Sequence, residues 1–217
     1  MFKQFRKVTI VLIVLLGSIG SNLSYAALAA SGSVYMYSYP GSYVGGALGS
    51  QQVTWGHGTD GLFSSNGTTS NAAQITFNNG NYWSFEFAAP TYDPATNTIS
   101  GTPLKVGLYA NATRWPFNSA TKPGLSVSGA GRGDNILSGW FNVLDVAFAP
   151  DGNLLVLAVD FRQFDETTTQ TGPSLYGSLR FNSSVPINPV PLPAGALLFL
   201  SGLLPLAGLQ IGKFLKK

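Results

Sequence analysis

The chain has no cysteine, a single histidine and only 10% charged residues, against about 25% in an ordinary globular protein. Without cysteine there is no disulfide, no thiolate metal site and no thiol nucleophile. One histidine, His57 in Trp55-Gly56-His57-Gly58-Thr59-Asp60, gives zinc too few ligands. A Ser-His-Asp triad would have to use that residue, and no Gly-x-Ser-x-Gly elbow surrounds any serine. A lone histidine among glycines reads as a loop residue.

The acids are equally sparing. Glycoside hydrolysis needs two carboxylates about 5–10 Å apart. Asp93 and Asp151 sit beside Pro or Gly and read as turn residues. Asp145 and Asp160 lie on facing strands, where register decides whether they approach. Asp165 and Glu166 are neighbours that a strand would point to opposite faces. Asp134-Asn135 and Asp165-Glu166 offer oxygens to calcium near strand ends, but no Asp-x-Asp-x-Asp loop is present. The sequence therefore predicts no enzyme, no catalytic residue, no metal and no cofactor.

Basic residues are concentrated where they carry little meaning for the middle. Six of the twelve stand at the ends: Lys3, Arg6, Lys7, Lys213, Lys216 and Lys217. The interior keeps six against nine acids, a net −3, so the high pI is no argument for nucleic acid. The first residues run from a basic start through a short apolar stretch to small residues. That order predicts a secretory signal peptide over 1–29, cleaved after Ala26 or Ala29. From Leu192 to Ile211 stand 20 residues without charge, which as a helix would span about 30 Å, the thickness of the hydrocarbon core. Lys213, Lys216 and Lys217 follow. The positive-inside rule then predicts a cytoplasmic tail and an extracytoplasmic middle domain.

Val190-Pro191-Leu192-Pro193-Ala194, then the apolar run, then the basic tail, resembles the PEP-CTERM sorting signal in a Val-Pro-Leu-Pro-Ala variant, with no glutamate between the prolines. The resemblance covers 189–217. It implies recognition by an exosortase-type membrane protease, at least transient residence in the inner membrane, and export to the surface or matrix of a Gram-negative exopolysaccharide producer.

The middle, 30–188, shows no helical periodicity and no repeat. In Tyr82-Trp83-Ser84-Phe85-Glu86-Phe87 the aromatics share one face and Ser84 and Glu86 the other, the pattern of a half-buried strand. Asn78-Asn79-Gly80-Asn81 predicts a hairpin turn to the run 74–77. Pro150-Asp151-Gly152-Asn153 predicts another between 140–148 and 154–164. Runs 34–39, 104–110 and 175–181 read as strands, 64–71 and 91–103 as loops. The fold class is all-β, a β-sandwich or jelly-roll-like extracytoplasmic domain, flanked by a signal helix and a transmembrane helix.

Tyr39-Pro40-Gly41-Ser42-Tyr43-Val44-Gly45-Gly46, Tyr82-Trp83-Ser84-Phe85, Thr113-Arg114-Trp115-Pro116-Phe117, Pro123-Gly124-Leu125-Ser126-Val127-Ser128-Gly129-Ala130-Gly131-Arg132-Gly133 and Leu175-Tyr176-Gly177-Ser178-Leu179-Arg180-Phe181-Asn182-Ser183 resemble a small secreted bacterial β domain with no established activity. The resemblance implies that Asp134 and Asp165 stand where that group often has cysteines, so the end of strand 154–164 is held by other means. All four tryptophans lie in the middle: Trp55, Trp83, Trp115 and Trp140. Trp83 and Trp140 read as core. Trp55 and Trp115, beside Gly or Pro, are the candidates to stack on sugar rings, with Arg114 beside Trp115 suited to an anionic sugar. The leading reading is an exported surface or matrix protein associated with exopolysaccharide. The alternatives are a carbohydrate-binding module with a defined glycan and, behind it, a glycoside hydrolase. Asn66, Asn111 and Asn182 head N-glycan acceptor triplets, which chance supplies readily in an Asn/Ser/Thr-rich chain.

Overall fold

A computed structural model describes residues 27–66, 70–99 and 101–189. The expected signal segment up to Ala26, the motif from Val190 to Ala194, the apolar run to Ile211 and the lysines beyond it lie outside the described residues, as does most of the triplet headed by Asn66. Among the described residues no helix is long and apolar enough to cross a membrane.

The described chain is all β. Its strands are β1 (Ala27–Leu28), β2 (Gly32–Ser38), β3 (Gln52–Gly56), β4 (Leu62–Ser65), β5 (Ala72–Asn78), β6 (Tyr82–Ala88), β7 (Tyr92–Asp93) and β8 (Thr98–Ile99). They continue with β9 (Gly107–Arg114), β10 (Gly124–Gly129), β11 (Leu137–Phe148), β12 (Leu154–Asp165) and β13 (Ser174–Phe181). One 3₁₀ turn, Gly45–Leu48, interrupts them. β7 and β8 form a small separate ribbon, inside the stretch read as a loop.

The two hairpins written most clearly in the sequence form as expected. β5 and β6 pair antiparallel around Gly80, and β11 and β12 around Gly152, which takes the left-handed φ of 87° that its turn requires. The third expected strand starts later than 104. Leu104 is buried and its N–H is taken by the Ser70 carbonyl. It therefore anchors the preceding loop, and pairing begins only at Gly107.

Two separate sheets, as a sandwich would have, are not formed. Eleven strands make one sheet in the order β1-β4-β5-β6-β10-β9-β11-β12-β13-β2-β3. β9 joins the halves, pairing parallel with β10 and antiparallel with β11. The sheet then curls until its ends approach. At the join, His57 bridges to Gly61 and its Nδ1 accepts the Phe63 N–H at 3.0 Å. Trp55 of β3 stacks on Phe77 of β5 at 5.3 Å between ring centroids. Phe87 of β6 meets Phe141 of β11 at 5.3 Å and Phe161 of β12 at 5.6 Å across the interior. Curling lets one sheet bury one face without a second layer.

At the N-terminal side the fold starts before the 29/30 boundary. β1 pairs with β4, and Ala29 is buried with its N–H on the Phe63 carbonyl. At the other side, residues 183–189 lie over the outer face of β12 and β13. Arg180, 2% exposed, makes a 3.0 Å ion pair with Asp160 and donates to the carbonyls of Val185 and Pro186 in that tail. The Tyr176 hydroxyl donates to the Asn188 carbonyl at 2.8 Å. Burial first, then the Asp160 charge, pushes that phenol up to about 12, so it remains a donor at any physiological pH.

Candidate functional site

A groove of about 690 Å³ crosses the outer surface where β6, β10 and the end of β9 meet. Its floor follows from strand alternation. Trp83, Phe85, Phe87, Leu125 and Val127 enter the core, so Glu86, Ser126 and Ser128 face out. Ser126 is directly opposite Glu86 in the antiparallel register. Ser84 donates to Glu86 Oε1 at 3.2 Å. Burial raises the Glu86 carboxyl above its ordinary pKa, while hydrogen bonds from Ser126 and Ser84 and the charge of Arg114 pull it partly back.

Aromatic rings stand at both ends. Tyr82, 58% exposed, follows the β5–β6 turn. Trp115 follows β9, with its N–H on the Leu125 carbonyl at 3.1 Å. It packs so close to Gly124 that a Cβ there would lie 2.7 Å from Trp115 Cδ1. Glycine is what lets this ring lie down beside β10. Two guanidinium groups frame the groove. Arg114 donates to the Asn135 carbonyl at 3.1 Å and lies over the exposed Phe117 ring. Arg132 donates to the Tyr43 carbonyl at 3.1 Å and lies over the Tyr43 ring.

Of the expected sugar contacts, Trp115 and Arg114 both line this groove. Trp55 does not. Its strand position, opposite Val34, turns it inward onto Phe77 and Trp83. Arg114 pairs with the Phe117 ring rather than with the Trp115 face. Trp83 is core at 1% exposure, but Trp140 is not. It is half-buried on the outer face against Tyr176, while Gly139 and Phe141 on either side of it take the inner one.

Asp93 and Asp151 sit in turns as expected, and the acids stand apart from one another with two exceptions. Asp60 caps the Gly56 N–H, Asp93 the Ala95 N–H and Asp151 the Asn153 N–H. Asp145 sits opposite Ala158, two residues from Asp160 along β12, and accepts from the Ser183 hydroxyl. The exceptions are Asp134 and Asp165, which meet although 31 positions apart in the chain. Among the described residues no group of three or more His, Cys, Asp or Glu side chains converges on them. The side chain of Asn182 is occupied by the N–H groups of Ala30 and Ser31 and by the Leu155 carbonyl.

Sequence reasoning alone did not find Tyr82, Glu86, Ser126 and Arg132 as groove residues. The outward positions of Glu86 and Ser126 were readable from alternation. Their pairing was not, because it depends on β6 lying beside β10, 36 residues and more along the chain. Compared with protein-family models, with curated proteins and with solved structures, the chain gives no match.

Proposed function

We propose that this protein is an exported surface or matrix component that holds a strand of exopolysaccharide in the β6–β10–β9 groove. The observation that carries this reading is the make-up of the groove: aromatic rings at both ends, and a floor of hydroxyls and one carboxylate. Sugar rings present an apolar C–H face and a rim of hydroxyls, which these two kinds of surface complement. Binding is favoured over hydrolysis. Asp134 also borders the groove, but its Oδ2 accepts from Gln163 and its Oδ1 is sealed from solvent. Glu86 is then left without the second carboxylate that hydrolysis needs.

The test is retention of the full chain, in mild detergent, on immobilised alginate, β-1,4-glucan and dextran. The native chain is expected to bind at least one. Trp115→Ala and Glu86→Gln should each weaken that binding roughly tenfold, with the melting temperature little changed for Glu86→Gln, whose amide oxygen can still accept from Ser84. Retention of both variants at the native level, or no retention of the native chain on any of the three, would overturn the reading.

Export through the resemblance to a sorting signal is the second half of the proposal. Cleavage after Ala26 leaves β1 on the edge of β4, whereas cleavage after Ala29 removes it and the buried Ala29. The mature chain should therefore begin at Ala27 and lack 192–217 after an exosortase-type protease has acted. Intact-mass analysis of envelope and culture supernatant checks both ends at once. A mature form that always retains Lys217 and is never released would reduce the C-terminal segment to a plain anchor.

A further inference from the structure

Asp134 reaches the end of β12 from the β10–β11 loop, and both it and Asp165 are more than nine-tenths buried, at 5% and 7% exposure. Each has one oxygen fully engaged. Asp165 Oδ2 accepts from the Ser42 hydroxyl at 2.5 Å and from the Tyr43 N–H at 2.6 Å. Asp134 Oδ2 accepts from Gln163 Nε2 at 2.8 Å. The same Gln163 amide clasps the Val127 main chain from both sides, at 2.7 and 2.9 Å, and so ties β12 to β10. The remaining oxygens, Asp134 Oδ1 and Asp165 Oδ1, are sealed from solvent and have no donor. The two carboxyl groups are within reach of each other.

Two buried carboxylates in contact do not both ionise, and a buried acceptor with no donor is unfavourable. One proton between the inner oxygens resolves both problems. A cation would need about six to eight oxygens, and among the described residues no group of three or more acidic or imidazole side chains converges here. We propose that Asp134 and Asp165 share a single proton, and that this proton is a pin joining the Ser42–Tyr43 turn to the Gln163 strut. Asp165 Oδ2 already takes two donors and Asp134 Oδ2 only one, so the shared proton is placed on Asp134.

Other charges face the pair. Glu166, next to Asp165, accepts the Asn135 N–H at 2.7 Å. Arg132, on the loop that carries Asp134, reaches the Tyr43 carbonyl, and Arg114 of β9 the Asn135 carbonyl. Burial first, then the charge of Asp165, pushes the Asp134 carboxyl from an ordinary 3.8 up to about 7, with Glu166 adding to the rise and the Gln163 bond opposing it. The folded state thus holds a proton that the unfolded chain releases near 4. Its contribution is complete below about 4 and declines as pH rises towards and through about 7.

Because Asp134 and Arg132 border the groove, loss of the pin loosens one groove wall; this consequence rests on the glycan reading above, the pin itself does not. The first measurement is the pH titration of the side-chain carboxyl ¹³C signals of the full chain. One aspartate is expected to titrate near neutral pH, and its signal should vanish in Asp134→Asn. The second is thermal melting between pH 5 and pH 8. The native melting temperature should fall by roughly 5 °C or more across that range. Asp134→Asn can donate to Asp165 and accept from Gln163 at every pH, so its fall should be much smaller. All aspartates titrating in the ordinary carboxylate range would overturn the pin. So would an increase in native melting temperature on adding calcium or magnesium that Asp134→Asn abolishes, since the pair would then be awaiting a cation. If the carboxyl titrates near neutrality while none of the three polysaccharides is retained at pH 5.5 or pH 8, the glycan reading falls and the pin stands.

Discussion

Arg180→Ala should destabilise the domain by roughly 3–5 kcal/mol, the range for removing one partner of a buried ion pair. The residue is 2% exposed and its guanidinium has no idle donor group. Nη2 bonds Asp160 and the Pro186 carbonyl, Nη1 the carbonyls of Val159 and Leu179, and Nε those of Val185 and Pro186. Alanine would leave the Asp160 carboxylate buried, with Ser178 and Asn188 as its remaining donors. It would also strip the tail of its main hold on the sheet. Urea unfolding should therefore show a much lower midpoint, and limited proteolysis a new cut between 183 and 189 under conditions where the native tail survives. Replacing the pair together, Asp160→Leu with Arg180→Met, should recover only part of the loss. The apolar pair ends the problem of an unpaired charge but cannot bond the tail's carbonyls. A loss below 1 kcal/mol for Arg180→Ala would show that the tail holds itself.

That clamp matters for the export reading as well. The chain leaves the domain from a fixed point on β12 and β13, at Asn188 bound to Ser178 and Asp160, immediately before the segment that resembles a sorting motif. A protease acting there would meet a substrate whose N-terminal side is already immobilised, and trimming would not release residues 183–188 from the sheet.

Local signals in the sequence were legible wherever local chemistry decides the structure. The β5–β6 and β11–β12 hairpins follow from turn residues and alternation within about 25 residues of chain, and Trp83, Phe85 and Phe87 enter the core together. β3 and β10 carry no such local signal. Gln52 to Gly56 and Gly124 to Gly129 are short, polar at alternate positions and end in glycine, so only their neighbours make them strands. β13 illustrates the same limit from the other side. Its Ser174, Tyr176, Ser178 and Arg180 alternate with Leu175, Gly177, Leu179 and Phe181, as for a half-exposed strand, yet all eight are buried. The tail covers the polar half, and no local pattern announces that cover. The groove combines both cases. Glu86 faces out by alternation, but Trp115, Tyr82 and Arg132 join it only through the order β6-β10-β9. The Asp134–Asp165 contact likewise depends on where a loop lands.

Gly177→Ala should destabilise the domain by roughly 2–3 kcal/mol, at the upper part of the range for overpacking a tight core. Gly177 stands directly opposite Phe161 in the β12–β13 register. A Cβ added to it would overlap the Phe161 ring. The ring has no free direction in which to retreat, since Phe85 and Phe87 of β6 pack on it at 6.2 and 5.6 Å from across the interior. Gly129 opposite Trp83 repeats the arrangement in β10 and β6. In both, a large ring occupies the space over a glycine in the paired strand, which is how glycine is accommodated mid-strand despite its low strand preference. Backbone conformation is not the obstacle at Gly177, because it has no left-handed φ. The loss should therefore come from the ring alone. Phe161→Leu, destabilising by itself, is expected to absorb most of the added effect of Gly177→Ala. A double-mutant cycle on urea midpoints would then show coupling of 1 kcal/mol or more between two residues in contact. If the two substitutions add independently, the ring-over-glycine account of this core is wrong, and strain in the β13 backbone would have to explain the loss instead.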